Sequence, residues 1–449
     1  MNLDKKRWII LIAACFINIC LGSIYAWSVF SPEMAAHLSA LTGKQLTPGD
    51  LAIVYTIANS VGPITMITGG WFNDKIGPKK VILVGGIMWG LGMFLSGFAT
   101  SIGFLIFAYG IIGGLGLGMA YGSTISTCVK FFPDKRGLIG GITTAVYGLS
   151  SVILPPVVTA VMRSSDVTFA FKAVGIVFLV LIAVSCIFLD QCPEGYKPEG
   201  WEPAATAGGA EPKNLDWKGM LQTPVFYVML LLLTCGAFSG MMVISQAKPV
   251  ANLMIGEASA ALAVSVLALF NAFGRIVAGT LSDKIGRINT LCLACVLGAA
   301  GLLCLYFTGT GATAQFFVGL SVVGVSFGSF MGVYPGFTAD QFGPKNNSVN
   351  YGIMFIGFAL AGYFGPQIMA KTVASTGAYQ QAFLIAACIS IVGVVFTFTL
   401  PLYLLRCCTF FMYAVTLSAS SETAKTSLCT SWLVVCDNAY WLSIPNISR

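Results

Sequence analysis

Stretches of about 20 apolar residues, long enough to cross the hydrocarbon core of a bilayer, recur twelve times along this chain. They fall at 8–31, 50–73, 80–100, 103–130, 137–161 and 168–190, then at 222–245, 258–281, 289–308, 312–338, 348–370 and 380–403. Lipid offers no partner to an exposed peptide group, so such segments are confined to helices that satisfy their own backbone. The expected fold is therefore an all-α membrane protein with twelve transmembrane helices. Charged residues make up only 9% of the chain and hydrophobic ones 57%, where a soluble domain carries about 25% charged residues. No soluble domain of any size fits between the apolar runs.

The first run is longer than the core of a cleavable signal and holds Tyr25 and Trp27 where a small-residue cleavage site would lie, so it is expected to stay as the first span. Between the sixth and seventh runs the sequence turns rich in Pro, Gly and charge, the composition of a linker. It divides the chain into a six-helix bundle at 1–191, a linker at 192–221 and a second six-helix bundle at 222–405, followed by a tail at 406–449. Lysine and arginine set the orientation. Lys5, Lys6, Arg7, Lys75, Lys79, Lys80, Lys130, Lys135, Arg136, Lys197, Lys213, Lys218, Lys284, Arg287 and Lys345 fall on one side; Lys44, Arg163, Lys172, Lys248 and Lys371 fall on the other. The positive-inside bias then puts the N-terminus and the linker in the cytoplasm, with the protein in a plasma or inner membrane.

Other chemistries fit poorly. The net charge of +7 comes from basic residues spread singly through loops, not from a patch that would hold nucleic acid. The fourteen cysteines mostly stand alone inside apolar runs, and Cys292 and Cys295, though spaced like metal ligands, lie within one apolar helix. With His37 the single histidine, neither a metal, a cofactor nor a membrane enzyme is expected. GLGLGMAYG, at 114–122, has glycines spaced like a dinucleotide loop but lies inside a spanning segment, where close helix packing is the expected role.

The two halves repeat. GGWFNDKIGPKK joins the second and third spans, and AGTLSDKIGRIN joins the eighth and ninth; in each a Gly precedes an Asp by four residues and DKIG follows. The paired positions are Gly70, Asp74 and Gly77 in one half, Gly279, Asp283 and Gly286 in the other. This doubled G-x-x-x-D-K-x-G loop resembles the major facilitator superfamily, over most of the chain from Trp8 to about Pro401. The resemblance implies two six-helix pseudo-repeats that rock about a central site. In the loops, Gly permits close helix approach and Asp is expected to pair with basic groups across the two halves. GSIYAWSVF (22–30), GLGMAYG (116–122), FFPDKRGLIGG (131–141), AVYGLSS (145–151) and NYG (350–352) are similar to the oxalate:formate antiporter family, itself related to the monocarboxylate transporters.

Arg275 sits in the middle of the eighth span, eight residues before Asp283, hence about 12 Å deeper at 1.5 Å per residue. Its Cβ leans toward the helix N-terminus, away from the nearer surface, so snorkelling is awkward. A charge at that depth costs about 2.5–3.5 kcal/mol. Glu33, Asp50, Asp190, Glu257 and Asp340 all fall at helix ends, leaving Arg275 without an evident counter-ion. A substrate carboxylate would supply one, because guanidinium and carboxylate match through two parallel hydrogen bonds. The resemblance also implies a substrate-binding arginine in this helix.

Asn271, one turn away, joins the candidate site. So do Tyr25, Trp27, Tyr121 and Tyr147 from the first half, the tyrosines offering a hydroxyl to an anion and a ring to its alkyl part, and Tyr334, before Pro335 in the tenth span. Lys248, beside Pro249, has the place of a solvated loop lysine rather than an anion guide. In oxalate-exchanging relatives a lysine follows NYG and neutralises a second carboxylate; the matching position here is Phe358. One cation suits one negative charge. The expectation is a monomeric secondary transporter of small organic anions, foremost monocarboxylates of the formate, lactate or pyruvate type, working by alternating access. The alternative is an oxalate/formate antiporter; a channel would need a continuous polar pore. Asn271 stands where proton-coupled monocarboxylate transporters often have an aspartate, which weighs against symport. The sequence from 402 to 449 has no counterpart in the family, and no role is placed there.

Overall fold

The computed structural model describes residues 3–202 and 214–418. Twelve of its helices are long and apolar enough to span a membrane. In the first half these are α1 (Leu3–Thr42), α2 (Ala52–Ile76), α3 (Pro78–Ser96), α4 (Ile102–Phe131), α5 (Arg136–Ser164) and α6 (Val167–Phe188). In the second they are α7 (Pro224–Ser245), α8 (Glu257–Ile285), α9 (Arg287–Tyr306), α10 (Thr313–Phe342), α11 (Asn347–Thr376) and α12 (Gln380–Ser418). The protein is an integral, multi-pass membrane protein of two six-helix bundles. A short helix, Trp217–Leu221, lies in the linker, and a further one, Ala247–Ile255, follows α7 and carries Lys248, which the sequence places in a loop. The last helix continues past the expected bundle end at 405 as far as Ser418; residues 419–449 of the tail lie outside the described residues.

The linker ends tie down to different halves. Asp4 of α1 accepts from the Tyr196 hydroxyl and the Glu199 amide, whereas the Leu215 amide donates to the Phe342 carbonyl at the end of α10. These attachments define a linker side of the molecule, opposite a far side. On the linker side α2 and α8 each stop at a glycine with positive φ, Gly77 at +88° and Gly286 at +89°, a conformation only glycine adopts without strain.

Helix α1 is interrupted by a 3₁₀ segment, Gly22–Ala26. There the Trp89 indole of α3 donates to the Cys20 carbonyl at 2.9 Å, and Ser23 bonds the same oxygen. A Cβ at Gly22 would stand 2.2 Å from the Tyr147 carbonyl, so α1 and α5 can meet only because Gly22 has none. The break lies immediately before Trp27 and carries Tyr25.

Glycines let the helices of each bundle approach at backbone distance, the packing mode that replaces the hydrophobic effect between helices in lipid. In α4, Gly114 and Gly118 rest on Ala58 and Gly62 of α2; in α10, Gly324, Gly328 and Gly332 rest on α8 from Leu267 to Arg275. The contact between Gly118 and Gly62 is asymmetric. A Cβ at Gly118 would lie 1.9 Å from the Gly62 carbonyl oxygen, while one at Gly62 would meet nothing nearer than 3.7 Å. Gly118→Ala should therefore destabilise the protein by about 1–3 kcal/mol, the usual range for overpacking, and Gly62→Ala should leave stability nearly unchanged. Thermal unfolding of the two detergent-solubilised variants checks this; equal midpoints would refute it.

Candidate functional site

Around Arg275 three helices converge at backbone distance. Cβ atoms at Gly332 of α10 and Gly141 of α5 would lie 2.3 and 2.4 Å from the Arg275 carbonyl, and one at Gly328 would lie 2.1 Å from that of Asn271. Helix α8 is thus clasped between α10 of its own half and α5 of the other. The side chain is only 2% exposed, and Arg275 is the one charged residue that is buried among those described.

Its Nε donates to the Asn271 side-chain oxygen at 3.0 Å, and its Nη1 donates across the two halves to the Thr144 carbonyl of α5. The guanidinium carbon lies 3.6 Å from where a Cβ on Gly148 would be, so the group rests against a bare stretch of α5. Among the described residues no carboxylate forms an ion pair with it. Two neutral oxygens take two of its five N–H donors but leave its charge uncompensated.

Four tyrosines of the first half gather here. The Tyr25 and Tyr121 hydroxyls are close enough to interact with the guanidinium. The Tyr147 ring packs on both, with centroids 5.5 Å from Tyr25 and 4.5 Å from Tyr121. Tyr55 of α2 stands near Tyr25 and Tyr147. The second half adds an aromatic wall. Phe355, at a bend in α11, lies 6.1 Å from Tyr121 and stacks on Phe358 at 4.5 Å. The cation thus comes from one half, and the hydroxyls that ring it come from the other.

Five residues singled out in the sequence, Arg275, Asn271, Tyr25, Tyr121 and Tyr147, come together here, and Phe358 stands one ring further out. Asn271 holds the arginine through its oxygen, so its position is that of an aligning group. Trp27 and Tyr334 lie elsewhere. Trp27 turns into the first bundle, 6% exposed, with its ring 4.7 Å from Tyr109. Two residues after Tyr25, it lies on another face of the helix. Tyr334 is buried within the second bundle, and its hydroxyl donates to the Met229 carbonyl at 2.7 Å, so it has no hydrogen to offer a ligand. Tyr55, Thr144, Gly148 and Phe355 were not singled out. Gly148 lay in a quoted motif, but a backbone carbonyl such as that of Thr144 has no sequence signature.

The paired loops form a joint between the halves, though not through the expected pairs. Asp74 bonds Lys130 of its own half at 2.6 Å, and Asp283 bonds Arg287 of its own half at 2.7 Å. Across the halves each caps a helix: Asp74 accepts from the Val349 amide of α11 at 3.1 Å, and Asp283 accepts from the Gly137 and Leu138 amides of α5, both at 2.9 Å. The first-turn amides of a helix lack internal partners and carry its positive dipole end, so they hold a carboxylate across the interface while its cation stays in its own half. Gly70 and Gly279 permit the approach, with Cβ positions 2.6 Å from the Ser348 carbonyl and 2.2 Å from the Gly137 carbonyl. Among the described residues, the one ion pair that joins the bundles directly is Arg136–Asp340, at 2.6 Å. From the Arg275–Thr144 bond to the linker side, a series of hydrogen bonds and one ion pair joins the bundles. The molecule is closed there.

A family model described as Major Facilitator Superfamily matches residues 8–366 and 243–407. The oxalate:formate antiporter of Oxalobacter formigenes is 27% identical over 399 residues, spanning 88% of this chain and 92% of that one. Monocarboxylate transporter 12-B of Danio rerio is 23% identical over 411 residues, spanning 84% and 83%. The solved structure of the proton:xylose symporter XylE bound to 6-bromo-6-deoxy-D-glucose has a TM-score of 0.69 at 14% identity, covering 88% of this chain and 96% of that one. That likeness shows a shared fold.

Losing a helix cap costs about 0.5–2 kcal/mol. Asp283→Asn and Asp74→Asn keep the shape of the joint but lose its charge. Each should slow turnover several-fold with a smaller effect on substrate affinity, because the joint lies away from the tyrosine-ringed arginine. Initial rates and equilibrium binding on the same reconstituted variants separate the two quantities. A change confined to affinity would rule out a gating role.

Proposed function

The chain belongs to the Major Facilitator Superfamily, and from that membership we propose that it carries small organic anions, monocarboxylates foremost, with Arg275 binding the carboxylate. It is a membrane transporter and not an enzyme. The observation that carries the substrate reading is the buried guanidinium with no carboxylate partner among the described residues. A monocarboxylate would neutralise it through two parallel hydrogen bonds, with the Tyr25 and Tyr121 hydroxyls beside it. The apolar part of the substrate would lie toward Phe355.

The positive-inside bias supports a cytoplasmic linker side, and we read the conformation as the cytoplasm-closed state of a carrier working as a monomer. Alternating access then rocks the bundles about the Arg275 level, breaking the two capped joints and closing the far side. Charge also bears on the mode of transport. Crossing empty, the carrier would pass through its occluded state with an uncompensated guanidinium, costing about 2.5–3.5 kcal/mol. A bound carboxylate compensates that charge, so loaded return is expected to be faster than empty return. Exchange of one carboxylate for another is therefore the proposed mode.

The second reading is exchange of a dicarboxylate such as oxalate, which the oxalate:formate antiporter's likeness favours. Against it, the stacked Phe355 and Phe358 rings stand where a second cation would be needed. A second carboxylate left against them would be desolvated and unpaired.

Arg275→Ala should abolish counterflow of labelled monocarboxylates in proteoliposomes while the protein still inserts and folds. Arg275→Lys should be severely impaired, since an ammonium lacks the fork. Wild-type rates in the alanine variant, at equal reconstitution, would sink the assignment.

For the wild type, oxalate should compete poorly with labelled monocarboxylate. Phe358→Lys should raise relative affinity for oxalate about tenfold, the equivalent of about 1.4 kcal/mol; that is a fraction of the roughly 4 kcal/mol Coulomb attraction at 4 Å and an effective dielectric of 20. Strong oxalate competition in the wild type would instead establish the dicarboxylate reading.

A further inference from the structure

On the linker side a cavity of about 640 Å³ opens between the bundles, away from Arg275. Its walls come from the ends of α2 and α4 and the first linker stretch on one side, and from Pro344, Lys345, Asn346 and Val349 on the other. Four basic residues line it, Lys75, Lys130, Arg136 and Lys345, with three acidic ones, Asp74, Glu194 and Asp216. Most of these charges are occupied. Lys130 pairs with Asp74, Arg136 pairs with Asp340 outside the cavity, and Asp216 accepts from the Gly219 amide. Lys345 pairs with Glu194 at 3.0 Å, but both side chains are largely exposed, where such a pair contributes little. Lys75 forms no ion pair among the described residues and lies 3.8 Å from the centre of the Trp71 ring. Among the described residues Lys75 is therefore the basic group of the lining that no carboxylate pairs, and Lys345 is only loosely held.

Two further observations point to a ligand. Asn73, 3% exposed, carries a buried side-chain oxygen with no hydrogen-bond partner, and so does the Nε of Arg136 as a donor. Both residues line this cavity. Beside its mouth, Trp71, Phe72 and Ile76 form an exposed apolar strip at the end of a spanning helix, and Trp217 is exposed on the linker. Tryptophan at such a position marks the headgroup level of a bilayer.

We propose that this cavity binds the headgroup of a phospholipid, with its phosphodiester held by Lys75 and Lys345 and its acyl chains lying along Trp71, Phe72 and Ile76. Basic pockets between spanning helices suit phosphate-bearing headgroups. A headgroup hydroxyl, as in phosphatidylglycerol, supplies the donor that the Asn73 oxygen lacks. The apolar strip favours a lipid over free phosphate, which has nothing to lay along it. Because both bundles build the walls, and the Asn73–Ser348 and Lys130–Lys345 hydrogen bonds join them there, the cavity exists only while the linker side is closed. A bound lipid thus stabilises that state, since a ligand favours whichever conformation holds its site. The site is independent of the carboxylate reading and does not need it.

Native mass spectrometry of the full chain with phosphatidylglycerol tests the proposal without any transport assay. Wild type should retain one lipid through delipidation. Lys75→Gln and Lys345→Gln should each lower retention about fivefold, the effect of one basic residue at an anionic lipid. Lys284→Gln, in the equivalent DKIG loop of the other half, should retain lipid as wild type does. Millimolar inorganic phosphate should not displace the lipid. Undiminished retention in the Lys75→Gln/Lys345→Gln double variant would overturn the site, and displacement by inorganic phosphate would overturn the lipid as its occupant.

Discussion

A guanidinium held in the apolar middle of a membrane protein must be kept from lipid and given polar partners, and much of the surrounding architecture serves that condition. Helix α8 can hold Arg275 at this depth because Gly328 and Gly332 of α10 and Gly141 of α5 let backbones close around it. Gly148 leaves the guanidinium a flat seat, and Asn271 and the Thr144 carbonyl satisfy two of its N–H groups. These partners orient the cation but bring no negative charge. In a low dielectric that difference matters: hydrogen bonds replace hydration, while compensating a full charge needs an anion.

The position of the arginine also joins the site to the motion of the bundles. Arg275 belongs to one bundle, and its carbonyl acceptor and surrounding hydroxyls belong to the other, so the proposed carboxylate would touch both. Toward the linker side the same interface is held by reciprocal capping, with a carboxylate from each half on the first-turn amides of a helix from the other. Such bonds are directional and short, and a small rotation of one bundle breaks them together. The pseudo-symmetry of the joint suits a transition between two discrete arrangements.

Much of this was legible in the chain, and the reason is the bilayer. Twelve apolar runs of spanning length, the doubled DKIG loops and a composition break at the linker are one-dimensional signals of a constraint that acts along the membrane normal. Arg275 stood out for the same reason, since a charge inside such a run is conspicuous without a structure. Position around the helix axis was harder to read. Trp27 and Tyr25 are two residues apart and so lie on different faces of α1; one enters the bundle core beside Tyr109 and the other faces the arginine. Tyr334 carries the same hydroxyl as Tyr121 but donates it to Met229 within its own bundle.

Sequence alone determined the spans, the halves, the repeated loops and the buried cation, because each follows from local polarity and length. Only the tertiary structure decided which residues surround that cation. Tyr55, Phe355 and the Thr144 carbonyl reach the site through helix rotation, a bend in α11 and a bond between bundles, none of which leaves a periodic trace. It also decided the partners of Asp74 and Asp283. Each was expected to meet a cation across the interface, but there each meets the free amides of a helix end, and those positive ends arise from backbone geometry that no side chain announces.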